Sequence, residues 1–372
     1  MHHSDEILPL LGENTAAQAN LIVPLYNTTH TAIPDEQIDS SDLMLYMPEE
    51  QTDATTATPP DLFSDLVAAI SKGDLTKIAR CLEEGVDVNS TDLTSRIGMT
   101  ALELVFPLIL SNKLDILKLL VDAGADVNVQ NELHKNTPLM FAVACNSTNL
   151  IKLFVEAGAK LDLKNKYGQT TLMVGLSKRY DFNYGDFSVG FPVNAIDAIN
   201  LLLELGAKVN DTNMHGSTAL HKAAEIRNPY IATLLLENGA DITAKDCYGN
   251  TPLMVAARNP YHTGTIDTLV KSGSPLDLQD NYGRTALMLA AEAGQMDAIL
   301  VLIGYGAVLD LQDNYGKTAV MLAAEAGRID VAMILVMKGK GPNPLDVNGE
   351  RRIVSPNYIE NLKLRFFNFF GL

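Results

Sequence analysis

Only three cysteines occur in the 372 residues, Cys81, Cys145 and Cys247, far apart and with no Cys-x-x-Cys or His-rich neighbour. An odd number so placed excludes a disulfide framework and a zinc site, and fits a reducing intracellular compartment, the cytoplasm. The first sixty residues contain no Lys or Arg, yet hold ten acids, from Asp5 and Glu6 to Glu50 and Asp53. The chain carries −17 in all, so the remainder carries only about −7, the difference from −10. That balance repels a phosphate backbone and points away from nucleic acid. The start, "MHHSDEILPLLGEN", has no basic segment before an apolar run and does not read as a secretory signal. A run of about eighteen apolar residues, the length of a membrane span, is also missing. No nucleophile elbow, phosphate loop or His-Glu-x-x-His is found, and the seven histidines form no local cluster. Neither cofactor nor metal is expected.

What the chain does have is a period. A Gly two residues before a Thr, then Pro, Ala or Thr and an apolar run, occurs at Gly98, Gly168, Gly216, Gly249, Gly283 and Gly316, with Lys135 keeping the register without Gly. From Gly216 to Gly316 the steps are 33, 34 and 33 residues. The stretch "DNYGRTALMLAAEAG" from Asp280 returns as "DNYGKTAVMLAAEAG" from Asp313. A second landmark, Gly-Ala-Asp or a variant of it, follows at Gly124, Gly158, Gly206, Gly239, Gly273 and Gly306.

These residues resemble ankyrin repeats over roughly residues 62 to 346, and eight units can be counted. The resemblance implies an all-α solenoid of helix-turn-helix units with hairpin fingers, non-enzymatic, with a concave face of fingers and first helices that binds other proteins. No nucleic acid is expected as partner, and the array is expected to be a monomer. The family carries His after Thr-Pro-Leu; here that His occurs only at His221, read as a structural hydrogen-bonding residue, and Met140, Met173, Met254, Met288 and Met321 replace it. Met there predicts apolar packing with one hydrogen bond fewer per repeat.

Each repeated letter has a physical task. Thr137-Pro138 and Thr251-Pro252 supply a capping hydroxyl and a Pro at the first helical position, where its missing N–H is no loss. Pairs such as Ala256-Ala257 and Ala290-Ala291 keep the first helix thin, and Ile116, Leu117, Leu119 and Leu120 give the second its bulk. Gly at the second landmark ends that helix in a left-handed conformation.

Information about a partner must therefore lie in what varies. The residue before the finger Gly is Tyr167, His215, Tyr248, Tyr282 or Tyr315, an aromatic ladder suited to a protein interface or to finger-on-finger packing. Beside it stand Arg284 and Lys317, and Arg258 and Arg328 are placed on first helices with Glu225, Glu292 and Glu325. Between Gly168 and Gly216 the step is 48, fifteen residues too long, and the excess falls in Lys178 to Ala195 between two helices of the fourth unit. Tyr180, Phe182, Tyr184, Phe187 and Phe191 crowd it, either as an apolar grip for a partner or as a flap folded on the stack.

Residues 1–60 read as a disordered acidic segment, in which Glu6–Leu11 has the spacing of a dileucine sorting signal. Residues 347–372 contain a helix start at Ser355-Pro356 and a stripe of Ile359, Leu362, Phe366, Phe369 and Phe370. The stripe suits a cap over the last repeat, or contact with a membrane surface through 355–372. The leading expectation is a scaffold that binds a partner protein. Alternatives are an effector delivered by an intracellular bacterium into host cytoplasm, a membrane-recruited adaptor and, less favoured, an enzyme.

Overall fold

In a computed structural model the thin-helix and bulky-helix segments alternate as the 33-residue period requires. The structure describes residues 62–92, 99–106, 114–177, 181–184, 187–190 and 195–339. These belong to one of two compact units, Ala57–Leu372; the other, Met1–Thr56, lies outside them, as do the expected disordered segment 1–60, Tyr180, Phe191 and the helix of 347–372.

Among the described residues sixteen helices make eight pairs. They are α1 Leu62–Lys72 with α2 Leu75–Glu83, α3 Ala101–Val105 with α4 Leu114–Asp122, α5 Pro138–Ala144 with α6 Thr148–Glu156, and α7 Thr171–Gly175 with α8 Ile196–Glu204. Then follow α9 Ala219–Ala224 with α10 Pro229–Glu237, α11 Pro252–Arg258 with α12 Thr263–Lys271, α13 Ala286–Ala293 with α14 Met296–Gly304, and α15 Ala319–Glu325 with α16 Ile329–Lys338. Two short antiparallel pairs accompany them, β1 Thr91–Asp92 with β2 Met99–Thr100, and β3 Asp181–Tyr184 with β4 Phe187–Gly190. The all-α repeat array is thus what the chain forms.

The first helices start where the Thr hydroxyls place them. Thr100, Thr137, Thr170, Thr218, Thr251 and Thr285 each accept the amide three residues on. A cap of this kind stabilises a helix by about 1 kcal/mol, a large share for elements of five to eight residues. The helices persist because they pack: one continuous core runs from Leu66 to Leu335. Ala256, Ala257, Ala290 and Ala291 are wholly buried, which lets neighbouring first helices approach. Gly175 takes this furthest, since a β-carbon there would lie 2.8 Å from Val143 Cγ1. The second helices bury Ile116, Leu117, Leu120, Leu202, Leu269 and Leu302, each worth about 2–5 kcal/mol against truncation to Ala.

The turns also follow the letters. Gly124, Gly158, Gly206, Gly239 and Gly306 take φ between 83° and 93°. Lys135, which keeps register without Gly, adopts φ 56° nonetheless. One expectation needs correction: the Met residues in place of His do not simply lose a bond. Met254 and Met288 Sδ accept the amides of Thr251 and Thr285 at 3.4 Å, closing the cap from the other side as a weak acceptor.

Candidate functional site

The fingers are built on one carboxylate or amide oxygen each. Asn165, Asn213, Asp246, Asp280 and Asp313 turn Oδ1 inward, where it accepts the amides two and four residues ahead at 2.8–3.0 Å. The first of those amides belongs to Tyr167, His215, Tyr248, Tyr282 or Tyr315. Each ladder residue is therefore held by its own backbone, and its side chain is left outside the turn.

Adjacent fingers are joined by main chain. The carbonyls of Tyr167, His215, Tyr248 and Tyr282 accept the amides of Met214, Cys247, Asn281 and Asn314 at 2.8–3.1 Å. Asn281 and Asn314 add a side-chain amide to the carbonyls of Cys247 and Asn281, at 3.0 Å each. Among the described residues the rings of Tyr248, Tyr282 and Tyr315 carry none of this joining, and Tyr167, Tyr248, Tyr282 and Tyr315 are 43, 48, 39 and 74% exposed. Tyr167 stacks on His134 with centroids 6.0 Å apart, under Lys166 Nζ at 5.1 Å, and Tyr282 lies under the Arg284 guanidinium at 5.0 Å. The same columns expose two apolar residues that carried no signal of their own, Leu133 and Met214. Aligning the finger columns exposes them, because both stand one residue before the ladder position of their unit.

Charge on this face is organised in crossed pairs. Arg284 holds Asp280 Oδ2 through Nε and Nη2 at 3.0 Å and Glu292 through Nη1 at 3.3 Å. One repeat on, Lys317 Nζ meets Glu325 at 2.6 Å, and that carboxylate raises the ammonium pKa. Arg258 is exposed at the end of α11 and makes no hydrogen bond or ion pair among the described residues. Crowding by surrounding atoms and then by the Arg284 guanidinium lowers its pKa, though an arginine stays charged. Arg328 departs from expectation. It precedes α16 as the capping residue and so lies in the loop between helices, not on a first helix.

His221 is 1% exposed. Its Nδ1 lies 3.2 Å from the Thr218 amide and its Nε2 2.9 Å from the Asn250 carbonyl of the next unit. An amide at Nδ1 must donate and a carbonyl at Nε2 must accept, which places the ring proton on Nε2. Burial lowers its pKa, as befits a neutral inter-repeat bridge.

The long insertion falls between α7 and α8, as its place in the period requires, and its core is a β-ribbon and not an irregular loop. Phe182 pairs with Val189 and Tyr184 with Phe187. The sequence signal was there: alternating residues flank Gly185-Asp186, a two-residue hairpin turn type.

No group of three or more His, Cys, Asp or Glu among the described residues is placed to hold a metal. No described helix is long and apolar enough to cross a membrane.

The stacked helix pairs, their shared core and the finger face define a repeat-protein solenoid. A family model for ankyrin repeats (3 copies) matches residues 107–182, 192–275 and 253–346, parting at the β-ribbon. The chain belongs to the ankyrin-repeat family, whose arrays generally mediate protein–protein interaction and are typically not enzymes. It is 31% identical over 196 residues to YahD of Escherichia coli (strain K12), named as an ankyrin repeat protein, across 53% of this chain and 90% of that one.

Proposed function

We propose that the finger face of units four to eight is a pre-ordered recognition surface for a segment of another protein, without catalysis. The carrying observation is the division of labour within each finger: main chain and the Asp or Asn oxygen hold the turn, while the Tyr or His ring stands exposed. A backbone fixed before binding loses little entropy when a partner arrives, and aromatic residues give the most area per ordered torsion. Arg258, which makes no hydrogen bond or ion pair among the described residues, and the Arg284 and Lys317 pairs add a charge pattern that selects among partners. Phe182, Tyr184 and Phe187 of the ribbon, with Tyr180 and Phe191 outside the described residues, form a second grip in this reading.

Affinity capture from cell lysate tests the proposal with three proteins: the whole chain, a Tyr248→Ala/Tyr282→Ala variant, and a chain lacking Tyr180 to Val193. The expected result is a partner held by the first and lost from the second, with thermal melts nearly unchanged. Loss from the third alone would move the site to the ribbon. Equal capture by all three would refute both assignments.

A further inference from the structure

Every finger from the fourth unit to the seventh is covered by its successor, and the eighth is not covered by any described residue. A β-carbon built on Gly168, Gly216, Gly249 or Gly283 would lie 3.0 Å or less from the next finger, whereas on Gly316 it meets no described residue within 4 Å. The helix beside it is open in the same way. Met321 and Ala324 are half-buried, while Met288 and Ala291, 33 residues earlier, are fully covered. Of the threonines that immediately precede a first helix, Thr318 is the one whose side chain caps no amide, and its buried hydroxyl has no partner among the described residues. The described part of the stack therefore ends on a surface with the composition of an inter-repeat interface.

The chain runs on from Lys338, and the period runs with it. Asp346 stands 33 residues after Asp313, and Gly349 stands 33 after Gly316. Those are the two residues a finger needs, the oxygen that gathers two amides and the left-handed turn. A second ladder points the same way. Asp277 Oδ1 accepts the Val308 amide 31 residues on, and Asp310 repeats that Asp with the Gly341 amide 31 residues beyond it. After Gly349 the pattern stops: Arg351 replaces Thr318, and Pro356 falls at the place of Ala323, where it would break a first helix.

We propose that residues 346–349 add a ninth finger to the array, the Val347 amide donating to the Tyr315 carbonyl. The stripe of Ile359, Leu362 and Phe366 then closes over Met321 and Ala324 in place of a ninth first helix. The occupant of the open end is this chain's own C-terminal segment, and the inference stands whether or not the finger face binds a partner.

The test uses the whole chain with Cys247→Ser and a reporter thiol from Ala324→Cys. Cys81 is buried and burial pushes the Cys145 thiol up to about 12, so both react slowly at neutral pH. Asp346→Ala removes the acceptor of two amides and should speed labelling of the reporter about ten-fold. Asp346→Asn should leave the rate near that of the parent, because Asn165 and Asn213 do the same work in their fingers. A rate unmoved by Asp346→Ala, or moved equally by both substitutions, overturns the ninth finger. A chain ending at Gly339 that keeps its helical signal should label at the fast rate; slow labelling there overturns the cover. Protection that depends on protein concentration or on anionic vesicles gives the end face to a second copy or a membrane, and also overturns it. If the shortened chain does not fold, the Asp346 pair in the whole chain decides alone.

Discussion

Replacing Asp280 by Ala tests whether one buried oxygen pair holds a finger. Its Oδ1 accepts the amides of Tyr282 and Arg284 at 2.8 Å each, and its Oδ2 takes the Arg284 guanidinium at 3.0 Å. The carboxylate side chain is 0% exposed and that of Arg284 20%. Hydrogen bonds to a charged group contribute about 1.5–3 kcal/mol each, but the two freed amides lie near the surface and regain some water. Arg284 also keeps Glu292 at 3.3 Å. The net cost expected for Asp280→Ala is therefore about 3 kcal/mol, well short of the sum of three bonds. Asp280→Asn keeps an oxygen for both amides and loses only the ion pair, about 1 kcal/mol. Urea unfolding followed by far-UV circular dichroism reads the totals. Because a solenoid can unfold in parts, hydrogen exchange at the Tyr282 and Arg284 amides supplies the local reading. An Ala variant within about 1 kcal/mol of the parent, or Asn as costly as Ala, would refute the reasoning.

Three further outcomes follow from the same geometry. The folded-state pKa of His221 lies below its unfolded value, so its stabilisation is present above about pH 6.5 and is lost as pH falls toward the folded-state value. His221→Met should therefore lose less stability than the parent between about pH 7.5 and pH 5, and equal losses in paired urea melts would contradict the buried neutral bridge. Gly283→Ala and Gly306→Ala both force a β-carbon into left-handed backbone, at φ 79° and 93°, costing about 1 kcal/mol each. Only Gly283→Ala also drives that carbon to 2.6 Å from the Asn314 amide nitrogen, so its melt should fall clearly further; equal shifts would count against the close finger stacking. Tyr248→Ala and Tyr282→Ala should each change unfolding free energy by no more than about 0.5 kcal/mol, since neither ring joins finger to finger. A loss above 2 kcal/mol would make those rings structural, where ~0.5 is the ordinary surface range.

The parts of the fold legible in the sequence are those where one residue type answers one local demand. Thr at a helix start, Gly at a left-handed turn and paired Ala at a close approach can each be named without seeing the neighbours, and the 33-residue step then says that the neighbours are copies. The finger Asp and Asn were visible as a column too, but their task depends on where two amides point, which no composition reveals. For the ribbon, the weight of its aromatic residues hid their alternation about Gly185-Asp186. Arg328 was misplaced because the helix ends three residues earlier, at Glu325, a boundary that periodicity does not resolve. Met254 and Met288 look purely apolar in sequence, and only the fold brings their sulfur to a Thr amide. The ladder itself was legible, because Tyr167, His215, Tyr248, Tyr282 and Tyr315 recur at one place, immediately before the finger Gly.

The most direct measurement places a photo-reactive phenylalanine analogue at Tyr248 in one protein and at Leu300 on the outward side of α14 in another, then irradiates each in cell lysate. Both side chains are similarly exposed, at 48 and 44%, so access alone cannot separate them. The account predicts a discrete cross-linked protein from Tyr248 and none from Leu300. The same adduct from both, or from Leu300 alone, would contradict recognition by the finger face.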